Sequence, residues 1–265
     1  MKKIIVKKED YLSTFKNYKL GLHSFEKYDK WFPISSSPEL AGIIGDITAD
    51  GHLGKGLVQF ISKDKNNAIR FNNEVFRIFK ISGKIKVSPS NKKIWECLIC
   101  RNAFCRILNL CGAPGGDKVL KVFYVPEWII GGSKEIKKRY LQRLFDCEGS
   151  VVLQKNRQRV HVIFKMYKAT SLVKNHLIFL NQLRCILSGF KIKTTNPSTS
   201  GYTERKDGII TVGYEFRLYG TRKNLDSVLN FKKSISFESL VKKEKLEKYL
   251  NIVKNADTSL KKKSS

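Results

Sequence analysis

The sequence predicts an α+β fold made of two similar halves, each with the element order αββαββα. Segments with a helical spacing of apolar residues alternate with shorter segments rich in β-branched and aromatic residues. This order of elements occurs twice, and the two copies lie about one hundred residues apart. Each copy alone is small for an independent core, so we expect the halves to share one across a pseudo-twofold axis.

The first half, residues 37–130, follows a basic and aromatic-rich N-terminal extension, residues 1–36. Its first helix is expected to begin with Ser37 as the N-cap and Pro38 in the first helical position, and to end near Gly51. The remaining elements of this half are expected as a strand or hairpin over 51–62, a helix over 63–81, strands over 84–88 and 92–100, and a short helix over 102–110.

The second half, residues 131–255, repeats the pattern of the first. Its elements are expected as a helix over 133–148, strands on either side of a turn at 156–157, a helix over 170–187, strands over 191–195 and 209–219, and helices over 221–229 and 237–253. Residues 256–265 are expected to form a flexible basic tail.

The charge of the chain indicates its class of partner. It carries 51 Lys and Arg against 23 Asp and Glu, a formal net charge of +28. Self-repulsion of that size is costly unless a polyanion neutralises it, so nucleic acid is the expected partner.

The sequence also indicates the kind of cellular compartment in which the chain is expected. No apolar run approaches the roughly 20 residues that span a bilayer, so we expect no membrane partner. No secretory signal is recognisable, and six cysteines are too few for a disulfide scaffold. We therefore expect an intracellular, reducing compartment, with cytoplasmic and organellar locations both open.

Neither the cysteines nor the histidines show the spacing of a metal site. Cys97 and Cys100 flank Leu98 and Ile99 in a predicted strand, where they would face opposite sides. The four histidines form no pattern such as H-E-x-x-H. A structural zinc site and a histidine-based nuclease are therefore disfavoured.

Two predicted helices end in the same way, on a carboxylate followed by glycine. Segment 43–51, IIGDITADG, aligns with segment 141–149, LQRLFDCEG, so that Asp50 falls on Glu148. We expect each glycine to adopt the left-handed turn into the next strand. A carboxylate at a helix C-terminus opposes the helix dipole and therefore indicates a bound cation. If the two helices pack side by side, Mg²⁺ or a proton must separate the acids, and Mg²⁺ suits phosphodiester hydrolysis.

These segments resemble the paired motifs of the LAGLIDADG homing endonucleases, in the form that carries both motifs on one chain. The resemblance covers about residues 37–253 and extends to ELA at 39–41, HL at 52–53 and VPEW at 125–128. It implies an antiparallel β-saddle that contacts DNA, with the two motif helices at the interface of the halves. It also implies a monomeric, Mg²⁺-dependent, site-specific endonuclease that cuts both DNA strands, leaves 3′ overhangs and is encoded in an intron.

The resemblance assigns metal binding to the last acid of each motif, here Asp50 and Glu148. The peptide oxygens of Ala49 and Cys147 would add ligands, and two or three Mg²⁺ ions would be shared between the two acids. Family active sites also use basic or polar residues near strand ends to position water and offset phosphate charge. The candidates for that catalytic role are Lys63 and Lys165, for which a solvated lysine or a phosphate contact is the alternative.

The chain departs from the family at Arg143. This residue replaces the small one that lets the motif helices touch, which the first motif retains as Gly45. We expect Arg143 to reach outward or to pair with Asp46. Asp46 and Asp146 occupy other motif positions and are interpreted as helix-surface or interface groups.

The predicted strands would read the nucleic acid. A ten-residue strand spans about 33 Å, close to the roughly 34 Å of one duplex turn, so a sheet along the major groove reads an extended site. The residues expected to contact bases or phosphates lie on predicted strands, at their ends or in turns: Lys55, Gln59, Ser62, Lys84, Lys86, Lys92, Arg101, Arg157, Arg159, His161, Lys191, Lys193, Arg205 and Arg217.

Two other functions fit the same scaffold. An RNA maturase would assist splicing of its host intron, and its partner would be intron RNA, which the basic charge does not distinguish from DNA. A DNA-binding regulator that does not cleave would be expected to lose an acid, whereas this chain retains both. An intein origin is disfavoured because the sequence begins with Met1 and shows no splicing domain around the motifs.

Overall fold

The computed structural model describes residues 2–154, 156, 159–218, 220 and 224–261, without the side chains of 254 and 256–261. The chain divides into two compact units, Met1–Tyr140 and Leu141–Ser265. Helices and antiparallel sheets make up both units, so the predicted α+β class is confirmed. The predicted order αββαββα is also present in each half.

The N-terminal segment of the first unit is folded. Strand β1 (Ile4–Val6) pairs antiparallel with β2 (Ile34–Ser35), and between them lie helices α1 (Lys8–Leu12) and α2 (Tyr18–Lys27) and a 3₁₀ turn at Asp29–Trp31. The ring of Tyr11 is buried and lies 5.1 Å from the ring of Phe32. The ring of Trp31 lies 5.3 Å from the ring of Phe79, so aromatic contacts also pack this segment against the rest of the first unit.

The rest of the first unit carries one copy of the repeat. Its elements are α3 (Pro38–Thr48), β3 (Gly51–Leu53), β4 (Leu57–Ser62), α4 (Lys65–Phe79), β5 (Lys84–Val87), β6 (Trp95–Cys100), α5 (Asn102–Leu110), a 3₁₀ turn at Lys118–Leu120, α6 (Glu127–Ile130) and α7 (Lys134–Glu148). The sheet order is β3-β4-β6-β5. The predicted start of α3 is confirmed, since Ser37 Oγ accepts a 3.1 Å hydrogen bond from the Leu40 amide and Pro38 occupies the first turn.

The second unit begins within α7 and carries the other copy. Its further elements are β7 (Gly149–Gln154), β8 (Arg159–Ala169), α8 (Val173–Ser188), β9 (Ser198–Glu204), β10 (Ile210–Leu218), α9 (Asp226–Ser234) and α10 (Leu240–Lys261). The sheet order is β7-β8-β10-β9, which is the same arrangement as in the first unit.

The predicted strand over 191–195 is wrong. Residues 189–197 form a loop that closes the end of α8, where Lys191 has a left-handed φ of 59° and only Thr194 forms an isolated bridge, to Leu218. The strand lies further on, as β9. The alternation of Ile192 and the two threonines after it resembles a strand, but the amide of Ile192 instead donates to the carbonyl of Leu187 and caps the helix.

The C-terminal part also differs from expectation. Helix α9 begins at Asp226, later than predicted, and residues 221–223 lie outside the described residues. Helix α10 continues through Lys261, so residues 256–261 are helical where we expected a tail, and residues 262–265 lie outside the described residues.

Each sheet has one face covered by helices and one open face. In β8 the even-numbered residues from Val160 to Lys168 are buried, and α8, α9 and α10 contact this strand, whereas the odd-numbered residues are more exposed. In the first unit α4 covers β4 and β6. Within β6, Cys97 is buried and Cys100 is exposed, as their spacing predicted. No helix in the described part of the chain is long and apolar enough to cross a bilayer.

Candidate active site at two helix-to-strand junctions

The first junction joins the end of α3 to the start of β3. Helix α3 ends at Thr48, Ala49 is its C-cap, and β3 begins at Gly51. Asp50 is therefore the last residue before the strand, and it is exposed, whereas Ala49 is buried. A carboxylate thus follows directly on the negative end of a helix, where it attracts cations.

The second junction also has an acid followed by glycine, but here the strand follows the helix without an intervening residue. Glu148 is the last residue of α7, and Gly149 begins β7 immediately. Glu148 and Cys147 are both half-buried. In each unit, an acid and the backbone oxygens around it therefore mark the point where the motif helix becomes a strand.

The motif glycines are required by close packing, and their predicted left-handed turn is wrong. Neither Gly51 nor Gly149 has a positive φ. A Cβ on Gly51 would lie 2.5 Å from the Cα of Ile47, and a Cβ on Gly149 would lie 2.4 Å from the carbonyl oxygen of Phe145. The first strand residue passes so close to the helix backbone that no side chain fits.

A lysine contacts the carbonyl oxygens at the end of α3. The Nζ of Lys118 donates to the carbonyl of Ile47 at 3.1 Å and also to the carbonyl of Ala49. The carbonyls of the last helical turn have no partner within the helix, and an ammonium satisfies them. The Ala49 oxygen, which the family resemblance implies as a metal ligand, thus lies next to a cationic side chain.

The second unit has the same arrangement with Lys242, at the start of α10. Its Nζ lies 2.5 Å from the carbonyl oxygen of Asp146, 2.6 Å from that of Gly149 and 3.5 Å from that of Cys147. Both junctions therefore present converging backbone oxygens to a positive charge. Sequence reasoning missed both lysines, because Lys118 is 69 residues from Ala49 and Lys242 is 95 residues from Cys147.

The acids inside the motif helices are buried in ion pairs, so the predicted helix-surface position of Asp46 and Asp146 is wrong. Asp46 accepts two hydrogen bonds from the guanidinium of Arg70, at 2.8 and 3.0 Å. Asp146 accepts the backbone amides of Glu238 and Ser239, at 2.9 and 3.2 Å. These pairings fix the motif helices within their own units.

Arg143 is buried, so the expected outward direction is wrong. Its guanidinium pairs with Glu238, and its Nη1 lies 3.9 Å from the carboxylate of Asp146. The arginine that replaces the small motif residue is thus balanced by acids of the second unit.

The donor set at the junctions suits a hard divalent cation. Each junction offers one carboxylate and several carbonyl oxygens, which are the ligands that Mg²⁺ takes. Among the described residues, no three His, Cys, Asp or Glu side chains gather in a way that could hold a metal ion.

The residues predicted to contact DNA, together with the catalytic candidates Lys63 and Lys165, divide into several groups. Strand register and burial put one group on the open faces: Gln59, Lys84 and Lys86 in the first unit, and Arg159, His161, Lys165 and Arg217 in the second. Several of these cations are partly neutralised, since Arg217 lies 2.6 Å from Glu215 and Lys86 lies 3.8 Å from Glu96.

Other predicted residues lie off the open faces. Ser62 accepts hydrogen bonds from the amide of Asp64 and from Asn67 at the start of α4. Three residues, Lys63, Lys92 and Arg101, occupy exposed positions at turns and strand ends. Lys55 lines a cavity at the β3–β4 turn, and Arg205 pairs with Asp207. Lys191 and Lys193 lie in the loop after α8, and Arg157 lies outside the described residues.

Two side chains on the open face of the second sheet have defined electrostatics. The Nζ of Lys165 lies 4.7 Å from the centre of the Tyr167 ring, a cation–π contact that orients the ammonium. Burial, followed by the charge of Arg217, lowers the pKa of His161. His161 is therefore neutral at neutral pH and offers hydrogen bonds rather than charge.

No family model matches the chain. Among curated relatives it is 26% identical over 171 residues to the tRNA-splicing ligase RtcB of Pyrococcus furiosus, covering 59% of this chain and 18% of that protein. It is 25% identical over 248 residues to the RNA polymerase subunit Rpo1N of Methanocaldococcus jannaschii (81% and 18%), and 31% identical over 141 residues to the replication factor C small subunit of the same organism (45% and 7%). The chain thus spans less than a fifth of the length of these relatives.

Among solved structures, the chain is similar to variants of the homing endonuclease I-DmoI, with 13% identity and a TM-score of 0.46 over 75% of this chain and 95% of that chain. It is also similar to full-length WhiA from Thermotoga maritima, with 18% identity and a TM-score of 0.45 over 83% and 62%.

Proposed function

We propose that this chain is a site-specific, divalent-metal-dependent endonuclease that cuts both strands of duplex DNA, a member of the LAGLIDADG family with both motifs on one chain. The observation that carries the proposal is the repeated junction. Each unit has an acid at the end of a motif helix, a glycine without room for a Cβ, and a lysine on the helix-end carbonyls. A purely structural helix end does not need this combination twice.

The identities of the curated relatives support a mobile module. A ligase, a polymerase subunit and a replication factor subunit differ in their named activities, yet each matches this chain over 18% or less of its length. We infer that the matched part is a module with an activity separate from theirs. An endonuclease that promotes its own insertion into unrelated genes accounts for that distribution.

In the proposed active site, Asp50 and Glu148 would hold two or three Mg²⁺ ions, and the peptide oxygens of Ala49 and Cys147 would add ligands. When bound, the metal supplies Lewis-acid activation of the phosphate and of a water molecule. Lys118 and Lys242 hold positive charge at the same carbonyl oxygens, where they offset charge that develops on the phosphate. Lys63 and Lys165 contact the phosphates beside the scissile bond and position the DNA strand that is cut.

The open sheet faces are the proposed DNA-binding surface. They carry cations, amides and a neutral histidine, which together suit both phosphate contacts and hydrogen bonds to base edges. The net charge of +28 adds a sequence-independent attraction to the duplex. The protein is proposed to act as a monomer, because both acids are on one chain.

The test is a cleavage selection from a randomised duplex library in the presence of Mg²⁺. The wild-type chain is compared with Asp50→Asn and Glu148→Gln, which preserve side-chain size and remove one charge each. We expect cutting at one sequence, with loss in both variants, while duplex binding is retained. An intact fold that binds duplex tightly and leaves the library uncut would instead support a non-cleaving regulator, and preferential binding of intron RNA would support a maturase.

A further inference from the structure

A basic cavity lies in the second unit, between the C-terminal end of α8 and the loop 189–197. Its volume is about 730 Å³. Three cations line it, Arg184 from the helix and Lys191 and Lys193 from the loop, together with small polar side chains such as Ser188 and Thr194. None of the described residues that line it is acidic. We call this cavity the Arg184 pocket.

Arg184 is held in place by neutral partners. Its Nε donates to Thr194 Oγ1 at 3.0 Å, its Nη1 to Asn181 Oδ1 at 2.7 Å and its Nη2 to Asn196 Oδ1 at 2.8 Å. These bonds orient the guanidinium without cancelling its charge. They use three of its five N–H groups, so two donors remain for a ligand.

The backbone of the loop is fixed from the other side by α9. Asn230 Nδ2 donates to the carbonyl of Lys191 at 2.9 Å, and the amide of Lys193 donates to Ser227 Oγ at 3.0 Å. Lys191 also has the left-handed φ of 59°, which costs conformational energy for a residue with a Cβ. Two exposed lysines are thus presented beside Arg184 by a loop that is anchored at both positions.

The pocket is separate from the open face of the β7-β8-β10-β9 sheet. The α8 residues that line it, Asn181, Cys185 and Ser188, are on the solvent side of the helix that covers the other face of the sheet. Thr194 bridges Leu218, whose side chain is buried under the helices. A duplex on the open face would therefore not contact Arg184 through the sheet.

Charge balance distinguishes the pocket from the cations of the sheet. Arg217 and Arg205 each have a carboxylate within 3.2 Å. Arg184, in contrast, has amide and hydroxyl oxygens as its partners, with two lysines nearby. A rigid guanidinium with unneutralised charge and two spare donors matches a phosphate group, which it can bind through two parallel hydrogen bonds.

We propose that the Arg184 pocket binds a backbone phosphate of the DNA that flanks the duplex on the sheets. The proposal rests on the proposed DNA-binding function and extends it to a second contact outside the recognition site. A flank belongs to a molecule that is already bound, so once the duplex bends toward the loop after α8 its contact with the pocket is intramolecular. DNA is therefore favoured over a separate RNA.

The test measures how duplex affinity depends on salt for two random-sequence duplexes, of about 20 and about 60 base pairs, without divalent metal. The shorter duplex is about two helical turns long, and the longer one adds flanks. Fluorescence anisotropy at several KCl concentrations compares the full-length wild-type chain with Arg184→Gln. Lys174→Gln, which removes an exposed charge from the same helix outside the pocket, is the matched control.

We expect Arg184→Gln to reduce the slope of log K against log [KCl] by about 0.9 on the long duplex only. Lys191→Gln with Lys193→Gln should reduce it by up to the same amount, because the pocket contacts one phosphate. This double variant keeps the hydrogen bonds of Arg184 intact, in case Arg184→Gln disturbs the loop. Lys174→Gln should change neither duplex. Equal effects on both lengths, or none, would overturn the proposal. The same titration is made with RNA of matched length, and an effect seen only there would assign the pocket to RNA. The experiment measures binding and not cleavage, so its result can be interpreted even if the chain is not an endonuclease.

Discussion

Arg143 of the second motif helix is fully buried and forms an ion pair with Glu238, just ahead of α10. The carboxylate of Asp146, 3.9 Å from the same guanidinium, accepts the backbone amides of Glu238 and Ser239. The start of α10 is thereby attached to α7 next to the junction that bears Glu148. Arg143, which departs from the motif, therefore helps to position Lys242, because Lys242 lies in the first turn of α10.

Replacing Arg143 with Met should destabilise the second unit. The change removes the guanidinium that pairs with Glu238 and lies beside the buried carboxylate of Asp146, a loss of about 3–5 kcal/mol for a buried pair. Urea unfolding followed by circular dichroism measures it. Glu238→Gln is the comparison and should cost less, because that side chain is 24% exposed. Equal midpoints for Arg143→Met and wild type would show that the pair contributes nothing.

Alanine at either motif glycine should destabilise its junction. A Cβ at position 149 would lie 2.4 Å from the Phe145 carbonyl oxygen, and one at position 51 would lie 2.5 Å from the Ile47 Cα, so helix and strand must separate. We expect a loss of about 1–3 kcal/mol for Gly149→Ala and for Gly51→Ala. Gly131→Ala is the control, because its Cβ would meet nothing nearer than 3.4 Å. Equal melting temperatures for all three variants in thermal unfolding would contradict the packing argument.

Methionine at Lys118 or Lys242 should reduce cleavage more than binding. Each change removes the charge at the helix-end carbonyls and leaves a side chain of similar length, so the proposed site loses stabilisation of the phosphate. We expect Mg²⁺-dependent cleavage to fall by about 100-fold or more, with duplex affinity changed by less than about threefold. Lys248→Met, an exposed lysine on the same α10, is the control. Wild-type cleavage in both lysine variants would remove them from the active site.

The element order was predictable because its signals are local. The N-cap at Ser37, the apolar spacing of the helices and the two aligned motifs all act within a few residues. These signals gave the order αββαββα correctly in both halves. The strand expected over 191–195 failed because its β-branched pattern caps a helix, and that outcome depends on side chains of α9 distant in sequence.

The site was predictable only in part, for the same reason. The acids and glycines of the junctions are contiguous in the sequence, so the internal repeat reveals them. The lysines at the carbonyls and the partners of Asp46 and Arg143 come from other elements, and spacing carries no information about them. In a chain with 51 Lys and Arg, composition cannot indicate which cation is placed at a functional oxygen.

His176 gives the second unit a dependence on pH. Its ring is 1% exposed, its Nε2 lies 3.2 Å from the Met166 carbonyl oxygen, and it packs edge-on against Tyr214 at 5.9 Å. Burial lowers its pKa to about 4, the hydrogen bond to Met166 opposes that shift, and the charge of nearby Lys168 adds to it. The folded state therefore favours the neutral ring.

The sign of the effect follows from the two pKa values. Unfolded chains take up a proton at His176 near pH 6.5 and the folded chain only near pH 4, so stability is full above 6.5 and falls as the pH decreases between these values. The free energy of unfolding should be about 2 kcal/mol lower at pH 5 than at pH 7.5 from this residue. Urea unfolding at both pH values tests this against His176→Gln, whose amide can still donate to Met166 but cannot be protonated. His161 keeps its own smaller share in both proteins, so the difference between them isolates His176, and an identical pH dependence would show that the buried ring is not the source.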